Sequence, residues 1–417
     1  MRRVIARRAV RLLEAINRRR AEHAPPPSAA KVRILLLHAN GMGGTIRTVL
    51  NLAGYLARER DVEIVSVLRE AAEPFFPVPP GVRISYLDDR LARRGPLRWA
   101  LSRRPSRLIP KEEAAYHRFT LYTDLALLRF LWRTRDGVLI STRPGLNLIT
   151  ARFAAPGVIT IGQEHVGLTS HAEPIQTLIK RRYRRLDAVV TLTKADLRNY
   201  RATLRRRPGV LTRIPNALTE LGGPPSDPAA TTVVAAGRLT RVKGFHKLID
   251  AWRSVAARHP GWTLRIYGAG VQEENLAKQI HDLGLCDHAF LMGPRSDIGP
   301  ELAKASVYAL SSRREGFSMT ILEAMSKGMA VVSFNCPDGP KELITDGHDG
   351  LLVRRKNAEG MAEALCRVIE DEELRRSLGR AALQTAALYT PEIVGKQWDD
   401  LLARLVERRS APAAPES

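Results

Sequence analysis

The chain has 417 residues, 44% of them hydrophobic, which is enough for two domains with separate cores and too apolar for an unstructured polymer. A formal charge of +23 favours anionic partners (phosphorylated substrates, acidic lipid surfaces, nucleic acid) unless the excess is simply solvated surface. Three widely spaced cysteines, Cys286, Cys336 and Cys366, argue against a disulfide framework or a metal cluster, and for a reducing compartment in which they serve as small buried hydrophobes.

The first segment, MRRVIARRAVRLLEAINRRRAEH, has a basic start but neither a long apolar core nor a small-residue cleavage site, so it does not read as a secretory signal. Val4, Ile5, Val10, Leu12, Leu13 and Ile16 interrupt arginines at rough helical spacing. Such an arm can lie on an anionic membrane surface; the alternative is a merely exposed arm. With the stiff linker APPPSA it fills residues 1–30. No later stretch is long and apolar enough to span a bilayer. The expected location is cytoplasmic, peripheral on the inner face of the plasma membrane if the arm binds there.

From Lys31 the pattern becomes strand–helix alternation. KVRILLLHAN reads as a buried strand, GMGG breaks it, TIRTVLNLAGYLARE has helical spacing, and VEIVSVL is the next strand. Arg90 to Pro110 is basic and contains proline, as a loop or lid would. GVLIST, GVITIGQEH and AVVTLT are further strands, each followed by a helical stretch. Residues 31–220 thus form a first Rossmann-like domain. LGGPPSDPAA, residues 221–230, is an interdomain linker. The alternation restarts over 231–390 with the strands TTVVAAG, TLRIYGAG, AFLMG, VYALSS, AVVSFN and GLLV. A last helix, 391–408, is expected to cross back to the first domain, and 409–417 to be a disordered tail. The fold class is α/β, two doubly wound domains facing across a cleft. Ligands of such sheets sit beyond the carboxyl ends of the strands.

Residues just after strands therefore carry the chemistry. Gly41, Gly43 and Gly44 follow the first strand and precede a helix, where backbone N–H groups can approach a phosphate or sugar; a tight structural turn explains them equally well. The pattern is neither a dinucleotide fingerprint nor a P-loop. In GRLTRVKG, Arg238 and Lys243 can grip a diphosphate, with Arg241 a third cation. In REGFSMTILEAM, Glu315 falls in a loop and Glu323 in a helix that Ser318 can cap. Glu315 can accept hydrogen bonds from sugar hydroxyls, and Glu323 can take both hydroxyls of a ribose. His165 ends a strand and can orient a hydroxyl or donate to developing negative charge; Glu164 competes with it for that role. Asp88 and Asp89 are a poor substitute for a metal-binding Asp-x-Asp pair, so no metal or other cofactor is expected.

Together these pieces resemble the retaining glycosyltransferases of family four, with the GT-B fold, over roughly Val32 to Leu405. The matched features are GMGG, IPNAL, GRLTRVKG, and REGFSMTILEAM followed by GMAVVSFNCPDGPKELITDGHDGLLV. The resemblance implies that Arg238 and Lys243 hold the donor diphosphate and Glu315 the donor sugar. It further implies that Gly316, Phe317 and Ser318 touch sugar and phosphate through backbone N–H groups, and that Glu323 binds the ribose. By the same analogy Pro294 and Arg295 contact the base, Gly43 and Gly44 face the β-phosphate and acceptor, His165 is the active-site histidine, and Asn216 lies next to a hinge. The implied reaction moves a sugar from a nucleoside diphosphate, UDP by analogy, to a hydroxyl of a glycan, lipid-linked or polyol-phosphate acceptor in cell-surface polysaccharide assembly. Three readings compete: a glycosidase using Glu315 and Glu323, a sugar-nucleotide epimerase of the same build, and a non-catalytic basic protein binding nucleic acid or membrane, with nucleic acid the least expected partner.

Overall fold

The computed structural model describes residues 24–93, 95–354 and 356–411. The basic arm expected at the start of the chain, and the end of the expected tail from Pro412, lie outside the described residues. By internal contacts the chain divides into two units: Met1–Pro215 with Val394–Ser417, and Asn216–Ile393.

Among the described residues unit 1 holds seven strands: β1 (Lys31–His38), β2 (Asp61–Arg69), β3 (Val82–Asp89), β4 (Val138–Ser141), β5 (Ile159–Gln163), β6 (Ala188–Thr191) and β7 (Val210–Arg213). They form one all-parallel sheet in the order β3-β2-β1-β4-β5-β6-β7. The inner strands β4, β5 and β6 are buried at every position, as expected where helices cover both faces. The sequence did not announce the two edge strands. VRISYLDD buries only Asp88, and VLTR only Val210, so neither shows the apolar run of an inner strand.

The stretch after β3 is not all loop. It contains a helix, Pro96–Ser102, that buries none of its residues. The neighbouring acids are taken by arginines. Asp88 is only 1% exposed and pairs with Arg90 at 3.3 Å and Arg98 at 2.8 Å, while Asp89 pairs with Arg69 at 3.1 Å. These carboxylates neutralise local positive charge.

The final helix, Pro391–Ser410, runs two residues past its expected end. From Val394 onward it packs with unit 1. Tyr55 donates its hydroxyl to Asp399 at 2.7 Å, which together with burial pushes the phenol up to about 12. Arg60 pairs with Asp399 at 2.8 Å, and Arg409 forks onto Asp187 at 2.8 and 2.9 Å.

Unit 2 holds six strands: β8 (Thr232–Ala236), β9 (Thr263–Tyr267), β10 (Ala289–Leu291), β11 (Val307–Leu310), β12 (Ala330–Phe334) and β13 (Leu351–Val353). All pair in parallel, in the order β10-β9-β8-β11-β12-β13. Trp252, on the helix Phe245–Arg258, is fully buried in the core and gives its indole N–H to the His288 carbonyl at 2.9 Å. The Gly/Pro-rich stretch at 221–230 lies inside this unit. Lys327, at the end of the helix Met319–Ser326, ties part of it down by donating to the carbonyls of Gly222, Gly223 and Pro224 at 2.8, 2.7 and 3.2 Å.

Cys336 and Cys366 are buried as expected, but Cys286 is exposed, because it falls in the polar turn after the helix Glu273–Asp282. Among the described residues no helix is long and apolar enough to cross a membrane.

Candidate functional site

Each sheet reverses its winding direction once: between β1 and β4 in unit 1, and between β8 and β11 in unit 2. Beyond the carboxyl ends of such a strand pair the flanking loops part and leave room for a ligand. Of the residues singled out above, Gly43 and Gly44 follow β1, His165 follows β5, Arg238 and Lys243 follow β8, Glu315 follows β11, and Pro294 and Arg295 follow the edge strand β10.

In unit 2 the loop after β8 and the loop after β11 are laced together. Arg313 N–H donates to the Val242 carbonyl at 2.8 Å, and the Ser311 hydroxyl to the Lys243 carbonyl at 3.0 Å. Gly244 makes this possible. It holds φ 69°, and a Cβ there would stand 2.2 Å from the Ser311 carbonyl oxygen. The lacing aims the side chains at each other. Lys243 Nζ donates to Glu315 Oε1 at 2.7 Å, with the Glu315 side chain only 10% exposed. One ammonium N–H is used there; two remain for other acceptors. Arg238 is exposed, and its side chain has no partner among the described residues. Arg241 is likewise exposed.

Gly316 follows Glu315, Phe317 is buried against the ring of Tyr389, and the helix Met319–Ser326 begins after Ser318. Ser318 stands at the N-cap position as expected but does not cap. Its ψ is 84°, and its buried hydroxyl makes no hydrogen bond. The first N–H groups of the helix are therefore not closed off by this side chain. Glu323, one turn further, is 3% exposed. The Tyr308 hydroxyl, on β11, reaches the end of β8 and donates to the Ala236 carbonyl at 3.3 Å. Burial raises that phenol far above its ordinary value, so it stays a donor. Pro294 and Arg295 are exposed just past β10, with the Arg295 guanidinium 5.9 Å from the centre of the Tyr267 ring.

Unit 1 is built differently. Gly43 and Gly44 open the helix Gly44–Leu56, and a Cβ on either would meet nothing within 4 Å. No neighbour among the described residues explains glycine at these positions. His165 follows β5. Its Nε2 is enclosed and unpartnered, and burial pushes the imidazole down to about 4, so the ring is neutral near pH 7. Glu164 does not compete with it. Its carboxylate is 1% exposed and turned into the core, where it accepts from Asn147 at 2.8 Å and from the Tyr183 hydroxyl, with His171 at 3.5 Å. That acceptance and the surrounding burial raise the Tyr183 phenol well above its usual range, while the carboxylate pulls His171 upward against its own burial. Sequence reading missed this network, because Asn147, His171 and Tyr183 are distant in the chain and carry no shared motif. The chain's contact boundary falls between Pro215 and Asn216, and the buried Asn216 Oδ1 has no partner.

One group among the described residues has metal-ligand character: His259, Cys366 and Glu370. Glu370 already pairs with Arg258 at 2.6 Å and His259 at 3.1 Å, and burial pushes the Cys366 thiol up, away from the thiolate a metal needs. The group lies at the far end of the helix Phe245–Arg258 from Lys243, about 20 Å along its axis.

With this geometry in hand, the likeness to known proteins is informative. Two Rossmann-like parallel-sheet units in one chain match the GT-B glycosyltransferase structures. Staphylococcus aureus TarM, crystallised with fondaparinux, α-GlcNAc-glycerol and UDP, aligns with a TM-score of 0.73 at 15% identity, over 89% of this chain and 99% of that one. Residues 224–385 match the model of the family Glycosyl transferases group 1. An exopolysaccharide phosphotransferase of Streptomyces coelicolor is 36% identical over 92% of this chain; the chain spans only 41% of that relative's length. An amylovoran biosynthesis glycosyltransferase of Erwinia amylovora is 28% identical over 89% of this chain and 99% of its own.

Proposed function

We propose that the protein is a retaining glycosyltransferase. It moves a hexosyl group from a nucleoside diphosphate sugar, UDP-linked, to a hydroxyl of a glycan, lipid-linked or polyol-phosphate acceptor in cell-surface polysaccharide assembly. One observation carries the reading: the loops after β8 and β11 bring Lys243 and Glu315 to 2.7 Å at the switch point of the unit 2 sheet. A cation for diphosphate thus adjoins a carboxylate for sugar hydroxyls. A hydrolase pair of carboxyls is not favoured, since Glu315 is already tied to Lys243.

In this reading Arg238 and Lys243 take the negative charge that grows on the departing diphosphate. The backbone N–H groups at Gly316, Phe317 and Ser318 add to them. Glu315 holds sugar hydroxyls, Glu323 the ribose, and Pro294 with Arg295 the base. In unit 1, Gly43 and Gly44 give backbone access to the β-phosphate and acceptor, and the neutral His165 offers a hydrogen bond to a hydroxyl. The bond from anomeric carbon to phosphate oxygen breaks as the bond to the acceptor oxygen forms, and the acceptor's proton passes to the leaving phosphate. With two cations at the diphosphate, turnover needs no metal.

The relatives support the surface-glycan setting: the Erwinia protein is named for amylovoran biosynthesis and the Streptomyces protein for exopolysaccharide. The test is a panel of UDP- and GDP-hexoses incubated with and without EDTA and with polyol-phosphate and glycan acceptors, read by mass spectrometry and by the anomeric coupling in NMR. Transfer with retained configuration and no loss in EDTA is expected. Donor conversion without an acceptor would instead mean an epimerase, and absence of nucleotide binding would defeat the reading.

A further inference from the structure

Asp338 closes the segment after β12 and precedes the short helix Gly339–Leu343. It is the one non-glycine residue at positive φ among the described residues, with φ 71° and ψ −79°. The Gly339 N–H donates back to the Pro337 carbonyl at 3.2 Å, closing a three-residue ring. That combination is the rarer of the two γ-turns, near φ of about +75° and ψ of about −65°, and it is strained for a residue with a side chain. Glycine would adopt it at little cost. The chain places a carboxylate there instead.

Nothing in the fold uses that carboxylate. It is half-buried, yet has no hydrogen-bond or ion-pair partner among the described residues. Burial alone pushes its pKa up, with no cation nearby to offset it. A strained backbone and an unpartnered acid are both costs to the folded state, and they coincide at one residue.

The turn lies directly on the loop that holds Glu315. Glu315 and Asp338 form a parallel β-bridge. A Cβ added at Gly339 would stand 2.7 Å from the Glu315 Cβ and 2.9 Å from the Ser318 hydroxyl oxygen, so the two segments touch with no room to spare.

We propose that Asp338 is a specificity-determining residue of the donor site, its carboxylate accepting hydrogen bonds from hydroxyls of the same glycosyl group that Glu315 holds. The inference rests on the nucleotide-sugar reading above. It also sets a substrate class. Two carboxylates around one sugar favour a neutral, hydroxyl-rich hexosyl group and repel a uronosyl group.

Three variants separate strain from chemistry. D338G relieves the backbone and removes the acid, D338A removes the acid but keeps the strain, and D338N keeps an acceptor while dropping the charge. Each is measured for Tm, for UDP affinity by calorimetry, and for kcat/KM with the neutral UDP- or GDP-hexose that the wild type uses and with the matching uronosyl donor. D338G is expected to raise Tm, leave UDP affinity within about two-fold, and lower kcat/KM for the neutral donor at least ten-fold. D338A should show the same loss without the gain in Tm. D338N should keep most of the neutral-donor activity and narrow the gap to the uronosyl donor. Wild-type kcat/KM in both D338G and D338A would overturn the proposal and leave the nucleotide-sugar reading standing. A wild type that neither binds UDP nor turns over any donor would remove both.

Discussion

The two switch points differ in what they carry. At that of unit 2 the side chains are charged and joined: Lys243 and Glu315 meet at 2.7 Å, with Arg238 exposed in the same loop as Lys243. At that of unit 1 the residues singled out for the site carry no charge of their own, and Arg143, directly after β4, is paired with Glu113. Two glycines face open space, His165 is kept neutral by burial, and the acid of the neighbourhood, Glu164, is turned inward onto Asn147 and Tyr183. A charged site suits an anionic leaving group, whereas a neutral one suits a hydroxyl nucleophile. In the proposed reaction the same parallel-sheet plan would serve two chemical ends through the residues placed after its strands.

The sharpest way to break this contrast is Lys243→Ala. It should lower kcat/KM by about 10²- to 10³-fold, the usual cost of one oriented charge contact in the transition state, and lower Tm as well, because the largely buried Glu315 carboxylate loses its cation. Activity within a few-fold of wild type would take Lys243 out of the site.

The neutrality of His165 is open to a pH test. Its folded pKa, about 4, lies below the value of about 6.5 expected in the unfolded chain. The unfolded state therefore binds more protons between those values, and stability falls as pH drops from about 6.5 towards 4, by at most about 3 kcal/mol. His165→Asn should flatten that stretch of the stability curve in urea melts. An unchanged slope would mean that the imidazole is not held neutral.

For the glycines, Gly43→Val and Gly44→Val should leave Tm within a degree or two, since a Cβ there meets nothing within 4 Å. They should lower kcat/KM about ten-fold or more by blocking the N–H groups; full activity would make the glycines incidental. The smallest effect is expected from Tyr55→Phe, which removes the hydrogen bond to Asp399 that ties the last helix to unit 1. It should cost about 1 kcal/mol of stability in denaturant titration and leave catalysis alone.

What could be read from the sequence follows the same contrast. The inner strands and the paired-glutamate loop were legible because β-branched runs and a loop–helix motif are local signals. Edge strand β3 was not, since VRISYLDD mixes arginine, serine and acids where an inner strand would be apolar. Lys243 and Glu315 were each legible, but their direct pairing was not, because it depends on Gly244 fitting against Ser311, 67 residues away in the chain. Asp338 gave no sequence signal, for its oddity is a backbone angle. Ser318 misled in the opposite way: the residue type and position suit a cap, yet at ψ 84° its hydroxyl bonds none of the helix N–H groups.

The central claim is that Lys243 and Glu315 act on two ends of one nucleotide sugar. Calorimetric titration of UDP and of the UDP-hexose into wild type, Lys243→Ala and Glu315→Ala tests it most directly. The account predicts that Lys243→Ala weakens both ligands at least ten-fold, whereas Glu315→Ala weakens the UDP-hexose but not UDP. Equal affinities for both ligands across all three proteins would contradict it.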